Sequence, residues 1–237
     1  MKCSLAISLA IWTTTFGLVG LAPAAPVNGS FESGTFYGWQ IQIPRGRPKY
    51  QSRFFDAGTM DVATSWGYGA RPAQLGAKDG SHFAVIGSRA DANFVGDQLY
   101  NISLNQQFSL NAAETVSGWA AFFAGAAESH DYAWVRVLDG VGQLVATPWQ
   151  KSSSNTGNSS PHSPPPAWTQ WSWEAPTSGI YTLSLGLTTR DDNQSPSYGF
   201  FDDIFTIPPA LPVPEPTVLT LVVAGAALLA SRRRSVN

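Results

Sequence analysis

Three histidines and two pairs of adjacent acids are the side chains that could do acid–base or metal chemistry. The histidines are His82, His130 and His162, and none stands in the H-x-x-x-H spacing that binds zinc. The acids are Asp191-Asp192 and Asp202-Asp203; strand neighbours point to opposite faces, so neither pair can flank one glycosidic bond. There is no G-x-S-x-G elbow, phosphate loop or dinucleotide motif. The sequence therefore predicts no catalytic residue and a protein that is not an enzyme.

Aromatic residues suggest binding instead. The chain has nine tryptophans, and sugars are held by flat aromatic faces together with a few polar groups. A glycine-rich segment carries Trp66, Tyr68 and Arg71, and Trp171 and Trp173 share one face of a predicted strand. These five residues are the candidate carbohydrate-binding set. The alternative for the aromatic members is ordinary packing in a loop or the core.

The N-terminus has the three parts of a secretory signal. Lys2 precedes an apolar run from Leu5 to Leu21, and Ala22-Pro23-Ala24 supplies a small-x-small cleavage site. Cleavage by signal peptidase is predicted after Ala24. The alternative is a retained N-terminal membrane helix.

The C-terminus carries a second candidate targeting segment. Val213-Pro214-Glu215-Pro216 is held extended by its two prolines, and Thr217–Ala230 is uncharged and mostly apolar. As a helix this run reaches about 21 Å at 1.5 Å per residue, which is short for a hydrocarbon core of about 30 Å. Three arginines follow, and they favour the cytoplasmic side. They are Arg232, Arg233 and Arg234.

This tail resembles the PEP-CTERM sorting signal of Gram-negative bacteria. The resemblance implies export, transient inner-membrane anchoring, and cleavage near Pro214–Pro216 by the membrane protease exosortase. The processed body would then reside at the cell surface or in the extracellular matrix, where this family usually accompanies exopolysaccharide and thus biofilm production. The alternative is an ordinary single-pass anchor.

Between the two signals, Ala25–Val213 is long enough for one domain of about 190 residues. The only cysteine, Cys3, lies in the signal peptide, so the mature body has no disulfide and no thiol chemistry. It carries 10 basic and 15 acidic residues, a net charge of −5. The absence of a basic stripe or run argues against nucleic acid as a partner. The acidity suits a soluble secreted protein or a calcium binder.

Short apolar segments separated by turn residues predict β-structure throughout the body. Around Trp134, alternate residues are apolar, as expected of a strand with one buried face. Asp79-Gly80 and Asp139-Gly140 are hairpin-type signals. The predicted strands are Val27–Glu32, Gly38–Ile43, Met60–Thr64, His82–Gly87, Gln98–Leu110, Thr115–Phe123, Tyr132–Leu138, Leu144–Thr147, Thr169–Glu174, Gly179–Leu187 and Tyr198–Ile207.

This pattern predicts an all-β fold, a two-sheet antiparallel β-sandwich of the jelly-roll type, flanked by an N-terminal signal helix and a C-terminal hydrophobic sorting helix. Lys151–Pro166, rich in serine and proline, is predicted to be a loop. The predicted division is a signal peptide (1–24), a sandwich domain (25–207), a proline-rich spacer with the PEP motif (208–216), a hydrophobic membrane segment (217–230) and a basic cytoplasmic tail (231–237).

The first and last segments of the body form a second resemblance. Asn28–Gly34, followed by Gly38-Trp39, opens the domain, and Tyr198–Ile204 closes it. Together they resemble the ends of the galactose-binding-like jelly rolls found in many carbohydrate-binding modules. The resemblance implies that the first and last strands meet and that a structural Ca²⁺ ion sits where they do.

Calcium prefers six to eight oxygen ligands, including two or three carboxylates. The resemblance implies carboxylates from Glu32, Asp202 and Asp203, and backbone oxygens from Ser30, Lys78 and Ser81. Asp202 alternates in phase with Phe200 and Ile204, so it is expected to point inward with them, where a carboxylate needs a cation or several donors. The alternative is that these acids are hydrogen-bonded or solvated surface groups.

The predicted function is therefore that of a secreted, non-catalytic, calcium-stabilised jelly roll that binds extracellular polysaccharide. One alternative is a structural matrix or surface protein with no glycan specificity. The other is a polysaccharide hydrolase or lyase whose carboxylates come from separate strands.

Overall fold

The computed structural model describes residues 24–43, 60–67, 75–88, 99–125, 131–153, 166–190 and 197–209. The predicted signal peptide, membrane segment and basic tail lie outside these ranges, apart from Ala24. Within them, no helix is long and apolar enough to cross a membrane.

Twelve strands occupy the described ranges. In chain order they are β1 Gln40–Gln42, β2 Met60–Ala63, β3 Ser65–Trp66, β4 Leu75–Gly76, β5 Phe83–Gly87, β6 Leu99–Leu110, β7 Thr115–Phe123, β8 Tyr132–Leu138, β9 Leu144–Ser152, β10 Thr169–Glu174, β11 Gly179–Arg190 and β12 Tyr198–Ile207.

The strands form two five-stranded sheets and a small ribbon. Sheet A has the order β1-β6-β11-β8-β9, and sheet B has the order β10-β7-β12-β5-β2. All neighbours are antiparallel, and β3 pairs with β4 as a separate ribbon. From β5 to β8, and again from β9 to β12, the chain alternates between the two sheets. The all-β antiparallel sandwich predicted from the sequence is confirmed.

The main core lies between the sheets. Strand β8 contributes Ala133, Val135 and Val137, and β11 contributes a row of leucines, all nearly inaccessible to solvent. Fully burying a leucine or valine stabilises the fold by about 1.5–3 kcal/mol. Period-two alternation thus directs one face of each strand inward, as the sequence predicts for β8.

Sheet B is covered on its other side as well. A second apolar cluster joins Trp66 and Leu75 of the β3–β4 ribbon to Phe83 of β5 and Phe200 of β12. Sheet B is therefore buried on both faces, which explains why β5 is apolar at every position.

The structure differs from the predicted strands at several places. The sequence did not predict the β3–β4 ribbon, and β11 continues to Arg190 rather than ending at Leu187. Val27–Glu32 is a series of turns, because Asn28 and Phe31 take left-handed φ values of 54° and 57°. Strand β9 runs on to Ser152, into the segment predicted as a loop. Asp79-Gly80 does not form a hairpin, because β4 and β5 belong to different sheets, whereas the Asp139 turn does join β8 to β9.

Two contacts hold the opening segment in place. The buried amide of Gln106 accepts the N–H of Val27 at 2.6 Å and donates to the carbonyls of Val27 and Gly38 at 2.9 and 2.8 Å. The N–H of Ile204 on β12 donates to the carbonyl of Gly29 at 3.1 Å. The first and last segments of the body therefore meet.

Candidate functional site

The outer face of sheet A is polar and partly exposed: Gln40, Gln42 and Gln107 are exposed, whereas Ser103, Ser184 and Trp134 are buried. Strand register sets its side chains in cross-strand rows. The three central rows run Gln107–Thr182–Leu138, then Gln40–Asn105–Ser184–Arg136, then Gln42–Ser103–Gly186–Trp134–Gln150. Amides and hydroxyls dominate these rows, and Arg136 is their only charged residue.

Hydrogen bonds between side chains fix part of this face. Asn105 accepts from the Ser184 hydroxyl and donates to Ser103 Oγ at 3.0 Å and to Gln42 Oε1 at 3.3 Å. These four residues come from three neighbouring strands, so their orientations are coupled. A polar surface that is already ordered loses little side-chain entropy when a ligand binds.

A pocket of about 420 Å³ lies at the β1 end of the outer face. Its lining consists of Val27, Tyr37, Gly38, Gln40, Asn105, Gln106, Gln107 and Thr182. None of these side chains is charged. Tyr37 is 72% exposed and offers a ring to solvent beside several amides.

Trp134 lies on the same face, farther across the sheet. It is only 3% exposed because its indole packs closely against the backbone at Gly186. A Cβ atom at Gly186 would stand 2.7 Å from the ring atom Cε2, so only glycine leaves room for the ring. The indole N–H donates to Thr188 Oγ1 at 3.0 Å, which fixes the plane of the ring.

The acids predicted to bind calcium gather at a different place, around the turn that follows β4. Glu32 accepts the N–H groups of Ser81 and His82 at 2.8 and 2.7 Å and the Ser81 hydroxyl at 3.0 Å. Asp202 accepts the N–H groups of Lys78 and Asp79 at 2.7 and 3.1 Å. The two carboxylates thus hold opposite ends of one turn, which we call the clasped turn (Lys78–His82).

Glycine is required at the centre of the clasped turn. Gly80 has a φ of 59°, a left-handed conformation that side chains disfavour. A Cβ there would also stand 2.5 Å from the carboxyl carbon of Glu32. The Asp79-Gly80 pair predicted as a hairpin signal therefore serves to bring backbone N–H groups to a carboxylate.

The two carboxylates have opposite electrostatics. The backbone hydrogen bonds from Ser81 and His82 lower the pKa of the exposed Glu32 to about 2. Burial raises the pKa of Asp202 to about 6, although N–H bonds from Asp79, Lys78 and Asp203 oppose the shift. Asp202 is completely buried. Its charged form is consequently the costly one near neutral pH.

A β-bulge on β12 separates Asp202 from Asp203. The register with β7 shifts between Asp202 and Phe205, and Asp203 has a φ of 50°. Phe200 belongs to the outer cluster of sheet B and Ile204 to the inter-sheet core, so the expectation that Asp202 shares a face with both is wrong. The bulge reverses the phase of the strand. Asp202 is buried as predicted, but beneath the clasped turn.

Asp203 lies at the edge of this cluster. Burial, together with the nearby charge of Asp79, raises the pKa of its carboxyl group, and a hydrogen bond from Trp119 opposes the shift. The ammonium of Lys78 sits 3.9 Å above the centre of the Trp119 ring. The predicted metal residues Glu32, Asp202, Lys78 and Ser81 are thus in direct contact with one turn.

The donor set fits a cation only in part. Glu32 Oε1 and Asp202 Oδ2 each accept two N–H groups, which uses both lone pairs. Glu32 Oε2 and Asp202 Oδ1 keep more capacity. Lys78 and Ser81 meet the carboxylates through N–H groups, whereas the resemblance implied their backbone oxygens. Within the described ranges, no group of three or more His, Cys, Asp or Glu residues is arranged to hold a metal. Ser30 lies in the opening turns, beside the buried Phe31.

The predicted aromatic residues lie elsewhere. Trp66 is 1% exposed and packs among Phe123, Tyr198 and Phe200 in the outer cluster of sheet B. Trp171 is 4% exposed in the inter-sheet core, and Trp173 is half-buried with its ring edge-on to Tyr181. Trp66 and Trp171 offer no ring face to solvent, which matches the packing alternative. Tyr68 and Arg71 lie outside the described residues, as do the predicted sorting residues.

Sequence reasoning did not find the outer face of sheet A. Its amides and hydroxyls occur singly on β1, β6 and β11, so no motif marks them. The usable signal is the run Asn101–Gln107, in which every outward position is polar. When one face of a strand is mainly apolar and the other is polar, the sheet is expected to be covered on the apolar side only.

Comparison with known proteins gives weak similarities of overall structure. No protein-family model matches the chain, and no curated protein is similar in sequence. Among solved structures, TmCBM61 in complex with β-1,4-galactotriose is 16% identical with a TM-score of 0.45, over 76% of this chain and 95% of that one. The K3 cleaved adhesin domain of Lys-gingipain from Porphyromonas gingivalis is 15% identical with a TM-score of 0.48, over 78% and 99%. These similarities are too low to carry an argument about function, which rests on the site itself.

Proposed function

We propose that this protein is a non-catalytic carbohydrate-binding β-sandwich that holds extracellular polysaccharide on the outer face of sheet A. The observation that supports this most is the uncharged pocket beside Tyr37 and the amides of Gln40, Asn105 and Gln107. Sugar hydroxyl groups both donate and accept hydrogen bonds, and a side-chain amide can accept through its oxygen and donate through its nitrogen. An exposed aromatic ring adds a flat apolar surface for a pyranose ring.

The setting of this function is proposed from the two terminal signals. The protein is exported, processed by signal peptidase and exosortase, and placed at the cell surface or in the exopolysaccharide matrix of a Gram-negative bacterium. What supports this is the order of signals in the sequence, with an apolar leader before the sandwich and a PEP motif, apolar run and arginines after it. A bound polysaccharide would then be the matrix polymer.

Calcium at the clasped turn is proposed as a structural addition. Glu32, Asp202 and Asp203 would hold the ion, which would supply positive charge to the buried carboxylate of Asp202. Its support is that Asp202 is buried and that Oδ1 of Asp202 and Oε2 of Glu32 can still accept. The chain's own contribution is to bring two carboxylates from opposite ends of the domain to one turn.

Retention on immobilised polysaccharides tests the binding function. We expect the purified full-length protein to be retained by at least one polymer of a panel. Changing both Tyr37 and Gln107 to alanine should weaken retention about tenfold, because a ring contact and a hydrogen bond contribute about 0.5–1.5 kcal/mol each. Both residues are exposed, so the fold should tolerate their loss.

Val141→Ala is the matched control. Val141 is 80% exposed on the turn between β8 and β9, outside the pocket, so this change removes exposed apolar surface without touching the site. Unchanged retention of the Tyr37/Gln107 double variant would show that the pocket is not the binding site. Retention on no polymer at all, by a folded protein, would leave the structural-matrix alternative.

A further inference from the structure

Arg136 is the one charged residue among the side chains that the structure describes on the outer face of sheet A. Arg136 forms no hydrogen bond or ion pair with any described residue. Its Nε atom is buried without a partner, whereas its two terminal nitrogens are not buried. An arginine that is half removed from water usually pairs with a carboxylate, so this one has an unmet requirement.

The guanidinium of Arg136 is positioned by stacking. Its central carbon lies 4.2 Å from the centre of the Trp134 ring, and that ring is itself fixed by Gly186 and by the bond to Thr188. Stacking on an indole holds the guanidinium in place while its hydrogen-bonding edge stays free. The group is therefore preorganised to receive a planar partner.

No acid lies near enough to be its partner in the described part of the sheet. The other members of the three central rows are uncharged. The closest acid along β8 is Asp139, and its Oδ1 accepts the N–H groups of Val141 and Gln143 within the hairpin turn. Among the described side chains of these rows, the positive charge of Arg136 is therefore surrounded by neutral groups.

Arg136 and the pocket lie along one row of residues, in which Gln40 is exposed, Asn105 and Arg136 are half-buried and Ser184 is buried. Strand register places Gln40, Asn105, Ser184 and Arg136 in a single row across four adjacent strands. Strands lie about 4.8 Å apart, so the row spans about 14 Å. This is roughly the length of three sugar units of a chain that runs parallel to the row. A chain bound in the pocket would pass Arg136.

We propose that the polysaccharide bound by this face is acidic, and that Arg136 pairs end-on with the carboxylate of a uronic acid unit. The two terminal nitrogens match the two oxygens of a carboxylate, the geometry that favours arginine over lysine. This inference rests on the proposed function, to which it adds the class of sugar and the residue that selects it. In this proposal the pocket binds the hydroxyl groups of the sugar, and Arg136 selects units that carry a carboxylate.

The test compares three polymers and four proteins. The polymers are alginate, which is a polyuronate, the same alginate with its carboxyl groups reduced to alcohols, and dextran sulfate. The proteins are the full-length chain and its variants R136Q, R136K and K151Q. K151Q is the matched control, because it removes one positive charge, as R136Q does, but away from the outer face. The ammonium of Lys151 donates to Thr169 Oγ1 on β10 at 2.9 Å.

We expect the unchanged protein to bind alginate at least about tenfold more tightly than the reduced polymer, since hydrogen bonds to charged groups contribute about 1.5–3 kcal/mol. R136Q should lose this preference, R136K should keep only part of it, and K151Q should keep all of it. Added salt should weaken binding to alginate more than binding to the reduced polymer. Thermal melting of each variant checks folding, and R136K keeps the test usable if R136Q does not fold.

Four results would overturn the inference while leaving carbohydrate binding intact. The first two are equal binding of alginate and its reduced form, and alginate binding by a folded R136Q that equals that of the unchanged protein. The third is binding of dextran sulfate as tight as that of alginate, which would indicate a general anion site. The fourth is binding of a neutral polymer but not of alginate. Failure to bind any polymer would overturn both this inference and the proposed function.

Discussion

The buried carboxylate of Asp202 predicts that the metal-free protein becomes more stable on mild acidification. Burial raises its pKa from 3.8 to about 6, so the folded state takes up a proton at a higher pH than the unfolded state. Stability contributed by such a group is fully present below pH 3.8 and is lost as the pH rises through 6. This direction is opposite to that of most paired carboxylates.

The magnitude follows from the two pKa values. The full difference of about 2 units corresponds to about 3 kcal/mol between pH values below 4 and above 6. Between pH 7 and pH 5, the proton linkage gives a gain of about 1 kcal/mol. The range must stop near pH 5, because Glu32, whose pKa is lowered from 4.5 to about 2, loses its contribution as the pH falls below 4.5.

Urea unfolding in EDTA at pH 5, 6 and 7 measures this gain. Asp202→Asn is the comparison, because the amide is the same size and does not titrate, and the histidines affect both proteins alike. We expect the stability difference between the two proteins to change by about 1 kcal/mol over this range. A difference that is independent of pH, or that changes in the opposite direction, would refute the assignment of a raised pKa to a buried Asp202.

Two further predictions concern the same fold. If calcium binds at the clasped turn, chelation with EDTA should lower the melting temperature by about 5–10 °C, the equivalent of about 2.7 kcal/mol at 100 times the dissociation constant, and Glu32→Ala should abolish the difference; identical melting curves with and without EDTA would contradict calcium binding. Gly186→Ala should destabilise the domain by about 1–3 kcal/mol in urea unfolding, because the new Cβ displaces the indole of Trp134, whereas Gly76→Ala, with open space around it, should change stability by no more than about 0.5 kcal/mol; equal effects of the two changes would contradict the tight packing at Gly186.

The sandwich was predictable because its strands alternate. In β8, the inward residues Ala133, Val135 and Val137 are apolar, and Tyr132, Trp134 and Arg136 face outward, as the structure confirms. Bounds of β7, β8, β10 and β12 also agree with the sequence-based ranges. Alternation of inward and outward residues depends only on neighbouring positions in the chain, so it can be recognised from one sequence.

The remaining features depend on tertiary contacts. The phase of β12 changes at Asp203 because that residue adopts a left-handed conformation, which no composition rule indicates for an aspartate between Asp202 and Ile204. Trp66 lies in a glycine-rich segment that suggested an exposed loop, yet the β3–β4 ribbon folds onto sheet B and buries it. The pocket depends on Gln106 drawing the opening segment to the side of β6.

The central position of β12 in sheet B also determines how the domain would resist a mechanical load. The last strand is hydrogen-bonded on one side to β7 and on the other to β5. A pull on the chain beyond Ile207, with polymer held on the opposite sheet, would load both ladders in shear, so many hydrogen bonds would have to break together. The carbonyl of Gly29 adds a tie from the start of the domain to Ile204. Under the proposed function, a domain built in this way would transmit tension between a bound polymer and the attachment of its C-terminus.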